Sequence, residues 1–222
     1  MKYFLILACK FMILVLSLKL SLAQNSSSST EIIDNGRTNC PAAGSSEYNV
    51  VPFHANQSEI LSTTLISISI VPANGGPAIA NYPISDGNFR FDSSTPIRPY
   101  ACEQCHTPMW CPNTTLIQEM VALLNGSYID PFVVPCQSDY ERPNIVLSFQ
   151  SSDGRQGEWV ITPEHWTSTR PPLDSAGTIC EFVFATSPNQ FWYSSDFHAR
   201  HYCQARNMAD RTLGLAGSTI IH

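Results

Sequence analysis

Within the apolar run from Thr63 to Val71 the chain alternates strictly from Ile66 to Ile70, with Ile66, Ile68 and Ile70 on one face and Ser67 and Ser69 on the other. A period of two predicts a strand buried on one side only. Shorter apolar or alternating runs recur at Asn49–Phe53, Ile145–Phe149, Glu158–Ile161 and Cys180–Phe184. Most are bounded by Pro, Gly, Asn or Ser, which end strands and make turns. One stretch has helical spacing. From Thr114 to Leu124 apolar residues recur at three and four, Asn113 or Thr114 can cap the start, and Asn125-Gly126 closes it. Residues 24–47 are rich in Ser, Asn, Thr and Gly, which predicts a flexible leader ahead of a domain at 48–222. The expected fold is mostly β, a single domain with one short helix.

The first residues set the compartment. Lys2, a broken apolar run from Tyr3 to Leu22, and the small residues Ser21 and Ala23 predict a signal peptide over residues 1–23. Lys10 and Lys19 interrupt the run, so it falls short of the ~20 apolar residues of a spanning helix. The mature chain is expected to be secreted, or held in the lumen of the secretory-endolysosomal pathway, with no membrane attachment after cleavage. Formal charge is −6 for the whole chain and −9 once Lys2, Lys10 and Lys19 are gone, which disfavours nucleic acid as a partner. In an exported chain the sequons at Asn25, Asn56, Asn113 and Asn125 are candidate N-glycosylation sites.

Loss of Cys9 from the eight cysteines leaves Cys40, Cys102, Cys105, Cys111, Cys136, Cys180 and Cys203. In an oxidising compartment these are disulfide candidates, and the odd number leaves one free or bridged to another chain. Cys102-Glu-Gln-Cys105-His106 matches the spacing of c-type haem attachment, and with Cys111 it could hold zinc. Disulfides are expected instead, and no metal or cofactor. His198 and His201, at three-residue spacing before Cys203, are read as structural. Ser194 and Ser195 lack the Gly-x-Ser-x-Gly elbow of a serine hydrolase. Of the tryptophans, Trp159, Trp166 and Trp192 read as core and Trp110 as partly exposed.

Four blocks in order resemble the C-terminal lobe of the pepsin-like aspartic endopeptidases. They are Val51-Pro-Phe53 with the strand at Thr63–Ile70; Phe89-Arg-Phe-Asp92-Ser-Ser-Thr95 with the helix at Thr114–Leu124; Val133-Val-Pro-Cys136 with Arg142–Phe149 and Trp159–Glu164; and Phe191–Arg200 with Arg211–Ala216. The resemblance covers roughly residues 49–218. It implies one lobe of a bilobal all-β fold, with Cys136 paired to Cys180 and Asp92 at the position of the family's second catalytic aspartate. Glu103 is a second, poorer placement of that residue. The chain before Tyr48 is expected to be too short for the other lobe.

Aspartic proteolysis needs two carboxylates about 3 Å apart sharing one proton. One lobe supplies one. The family's Asp-Thr/Ser-Gly loop is altered here, Ser94 standing in place of Gly, and the opposing stretch reads Tyr193-Ser-Ser-Asp196 without its glycine. The expected function is therefore a catalytically inactive pseudo-protease that binds protein or peptide. An endopeptidase active only as a homodimer or with a separate N-lobe, and a structural extracellular glycoprotein, are the alternatives. A homodimer or a disulfide-linked partner is compatible with the unpaired cysteine.

Overall fold

The computed structural model describes residues 30–33, 39–57, 60–92, 109–128, 132–136, 142–167, 173–189, 191–194 and 196–217. The strands are β1 (Thr30–Ile33), β2 (Asn49–Pro52), β3 (Ala55–Gln57), β4 (Ile60–Val71), β5 (Ala80–Pro83), β6 (Asn88–Asp92), β7 (Met109–Cys111) and β8 (Ser127–Tyr128). They continue as β9 (Phe132–Pro135), β10 (Asn144–Gln150), β11 (Gln156–Ile161), β12 (Ile179–Glu181), β13 (Phe184–Thr186), β14 (Trp192–Ser194), β15 (Tyr202–Asn207) and β16 (Thr212–Gly217). The helices are α1 (Thr114–Leu123), α2 (Pro163–Trp166) and α3 (Asp196–His201). The fold is mostly β, as the alternating runs predict. Two short helices join the one that the spacing announces.

The strands form three sheets. The largest runs β11-β10-β4-β6-β14-β7-β13, with β3 and β5 also paired to β4. The second is β1-β15-β16-β2, and the third is β12-β9-β8. Most pairs are antiparallel, but β14 runs parallel to β6 and β13 parallel to β7. Gly157 of β11 lies where any side chain would collide with the Val50 carbonyl, so its lack of one lets the first and second sheets pack closely.

β4 departs from the alternation its sequence suggests. Leu61, Thr63 and Leu65 are buried, and so are Ile68 and Ile70, but Ile66 is only half-buried. The register with β10 shifts there, Ser148 facing Ser67 and Phe149 facing Leu65. This bulge inserts one residue and moves the buried row from odd to even positions. Thr63, fully buried, donates its hydroxyl to the Pro52 carbonyl at 2.6 Å.

α1 starts and stops where its sequence requires. The Asn113 side chain accepts the Leu116 N–H at 3.1 Å. At the other end Asn125 takes a left-handed φ of 58°, its N–H donates to the Ala122 carbonyl and that of Gly126 to the Val121 carbonyl, a Schellman motif. Gly126 is needed for a different reason: a Cβ there would strike the Val133 carbonyl of β9. Leu116, Ile117, Met120 and Val121 face the core. Asn113→Ala is expected to cost about 1 kcal/mol, read as a lower urea midpoint with unchanged slope.

The core joins Phe89, Phe91, Phe149 and Trp159 with the inward faces of β4, β10 and α1. Phe89 meets Phe149 edge-on at 5.2 Å between ring centroids. A smaller cluster of Tyr48, Cys203, Ala205 and Ala216 lies around the second sheet.

The segment expected to be a flexible leader is tied into this sheet at two places. β1 pairs with β15 from Thr30 to Ile33, and Cys40 is disulfide-bonded to Cys203. Backbone pairing and a covalent link outweigh the polar composition that predicts flexibility there. A second disulfide joins Cys136 to Cys180. Cys111, expected among the disulfide cysteines, is instead a free thiol with no exposed surface. It sits in β7 between the core and the start of α1, its thiol donating to the Asn113 carbonyl at 3.3 Å. Burial pushes its pKa up to about 12, so it is a core thiol and not a bridge to a second chain. Cys102 and Cys105 lie outside the described residues.

Candidate functional site

Three short strands, β6, β14 and β7, bring the candidate residues together. Tyr193 pairs with Arg90 across the parallel β14–β6 contact and with Trp110 across the antiparallel β14–β7 contact. Alternation then sorts the side chains. Phe89, Phe91, Trp192, Ser194, Met109 and Cys111 are buried, while Arg90, Asp92, Tyr193 and Trp110 are half-exposed on the other face. Asp92, the sequence candidate, is the last residue of β6 and faces Ile60 of β4. Its carboxylate accepts the Tyr193 phenol at 2.5 Å. This is a charge-assisted bond between adjacent strands.

Beside this pair is a cavity of about 360 Å³. Ile60, Trp110, Pro188 and Phe191 give it apolar walls, and Arg90, Tyr193, Ser187 and Asn189 supply polar groups. The Arg90 guanidinium lies over the Phe191 ring, 3.9 Å from its centroid. Phe191, Pro188 and Asn189 are exposed, forming the rim.

On the inner side of the same strand the chemistry is closed to solvent. The Ser194 hydroxyl and His198 Nδ1 are 3.0 Å apart, and neither residue has exposed surface. The Phe91 ring meets the His198 ring edge-on at 5.3 Å. Burial, reinforced by the Arg206 charge and opposed by Asp92, lowers the His198 pKa to about 3. His198 is a neutral core residue. A serine–histidine pair sealed in this way cannot meet a substrate.

The other candidates fall apart from the cavity. Cys203 is in a disulfide and cannot join His198 and His201 around a metal. Among the described residues no three His, Cys, Asp or Glu side chains are grouped to hold a metal ion. Glu103, Ser94, Thr95, His106 and Ser195 lie outside the described residues, as does Asn25. Asn113 and Asn125 are exposed at the two ends of α1, and Asn56 is in β3. Trp159, Trp166 and Trp192 are core, and Trp110 lines the cavity. No helix among the described residues is long and apolar enough to cross a membrane.

Arg90 and Phe191 were not among the residues singled out by sequence. The signal for Arg90 is present in Phe89-Arg90-Phe91-Asp92, where a cation alternates with two aromatic residues that must face the core. Phe191 has no such signal, since its role depends on a pairing across β6 and β14. No protein-family model matches this chain, and no curated protein matches it.

Proposed function

We propose that the protein is a secreted, single-lobe relative of the pepsin-like aspartic endopeptidases that binds protein or peptide and does not cleave it. The observation that carries this reading is the bond between Tyr193 and Asp92. A carboxylate that must activate water needs its oxygens turned to the substrate, whereas Oδ2 of Asp92 is taken by a phenol on the neighbouring strand. The parallel pairing of β6 with β14 supports the resemblance, because these are the two facing segments that it matches. The aromatic-walled cavity next to them supports binding, since a concave apolar site with a few polar groups is the usual form of a ligand site. Two disulfides support an oxidising compartment.

The test is incubation of the purified mature protein with an unfolded protein from acid to neutral pH, with and without a statine-type inhibitor, beside an Asp92→Ala variant. No inhibitor-sensitive cleavage is expected, while panning against displayed random peptides enriches ligands that Trp110→Ala releases. Inhibitable cleavage abolished in Asp92→Ala would make the protein an endopeptidase working as a homodimer or with a separate N-lobe. Absence of both cleavage and enrichment would leave a structural glycoprotein.

A further inference from the structure

We infer that the cavity selects peptides carrying an Asp or Glu side chain next to a hydrophobic residue, with Arg90 as the group that reads the carboxylate. The inference rests on the peptide-binding reading and sharpens it.

Arg90 stands in the middle of β6, between two aromatic residues directed into the core, and its guanidinium is fixed over the Phe191 ring. Stacking uses the flat face of the guanidinium and leaves its N–H edges open to a planar acceptor. Among the described residues Arg90 has no ion pair. The carboxylate nearest along its strand, Asp92, is engaged by Tyr193. A half-buried cation, held in place and without a counter-charge among the described residues, therefore faces a cavity in a chain whose net charge is negative. Ile60, Trp110 and Phe191 lower the local polarity, which strengthens a charge-assisted, two-pronged bond to a carboxylate and offers contact to an adjacent apolar side chain. The volume suits one or two side chains. The exposed rim at Pro188 and Asn189 lets a peptide backbone pass over the mouth.

The experiment pans displayed random peptides on the full mature protein and on Arg90→Gln and Arg90→Lys, each shown to be folded by an unchanged thermal midpoint. Enriched peptides are then remade with Glu or Gln at the acidic position. The expected result is enrichment of Asp and Glu on the wild type only, with the Glu peptide bound about tenfold more tightly than its Gln twin. That ratio should shrink in Arg90→Lys, vanish in Arg90→Gln and fall with added salt. Peptides enriched without acidic preference, or a preference that survives Arg90→Gln, would overturn the inference and leave the binding reading standing. No enrichment on any protein would remove the binding reading, and this inference with it. Displacement of the peptide by free phenylacetate at concentrations no higher than the peptide's own Kd would give the site to a small carboxylate and overturn the peptide assignment.

Discussion

Between pH 7 and 4 the wild-type protein is expected to lose up to about 1.4 kcal/mol of stability per pH unit more than His198→Gln does. His198 is fully buried and titrates near 3 in the folded protein against an ordinary value of 6.5. Above 6.5 it is neutral folded and unfolded, and contributes no pH dependence. Between these values only the unfolded chain holds the proton, so unfolding takes one up and acid favours it. The loss accumulates as the pH falls from about 6.5 towards 3. Asp153 and Asp174 also have lowered values, first through hydrogen bonds from Ser151 and Thr178, and they add acid losses of their own. Both remain in the variant, so the difference between the two proteins isolates His198. Urea midpoints across the pH series measure it, and coincident slopes would show that His198 is not a buried neutral base. The result bears on function, because a carboxylate pair holding one proton works in the acid range where this residue costs stability.

Trp159→Ala is expected to cost about 3–5 kcal/mol, a large share of the roughly 5–15 kcal/mol that holds an ordinary domain folded. Trp159 has no exposed surface and ties β11 to three other elements. Its ring lies 5.6 Å from Phe91 of β6, 5.8 Å from Phe197 of α3 and 5.2 Å, edge-on, from Tyr202 of β15. Removing it opens a cavity where the first and second sheets meet. Trp159→Phe should cost much less. The indole N–H is buried and has no hydrogen-bond partner among the described residues, so losing it forfeits no bond and removes an unsatisfied donor. Equilibrium unfolding of the two variants separates packing from polarity. Equal losses would mean that the indole nitrogen contributes a bond of its own.

Much of the architecture was legible because burial writes a period into the chain. The runs at Asn49, Thr63, Ile145 and Glu158 became strands, and α1 carries its cap and its stop within the stretch from Asn113 to Gly126. The bulge at Ile66 was not legible, since it depends on how β10 pairs with β4. Nor was the order of β1, whose polar surroundings hide a pairing with a strand far along the chain. Asp92 was singled out because its flanking residues resemble a known motif. Its partner Tyr193 and the Arg90–Phe191 stack arise from the register of β6 with β14, which local spacing does not encode. Cys111 misled because redox compartment predicts pairing in general, whereas geometry decides which thiol is sealed in the core.

The bond from Cys40 to Cys203 spans 163 residues, and the second sheet joins β1 and β2 to β15 and β16. On the ribosome Cys40 must wait until Cys203 has been made, while every cysteine in between emerges and is free to react with it. Closure of this sheet thus comes late, after the whole stretch from Cys40 to Cys203 has been made. Cells making this protein should depend on a disulfide isomerase to undo early bonds to Cys40, and the yield of correctly bonded protein should respond to isomerase supply more steeply than messenger level does.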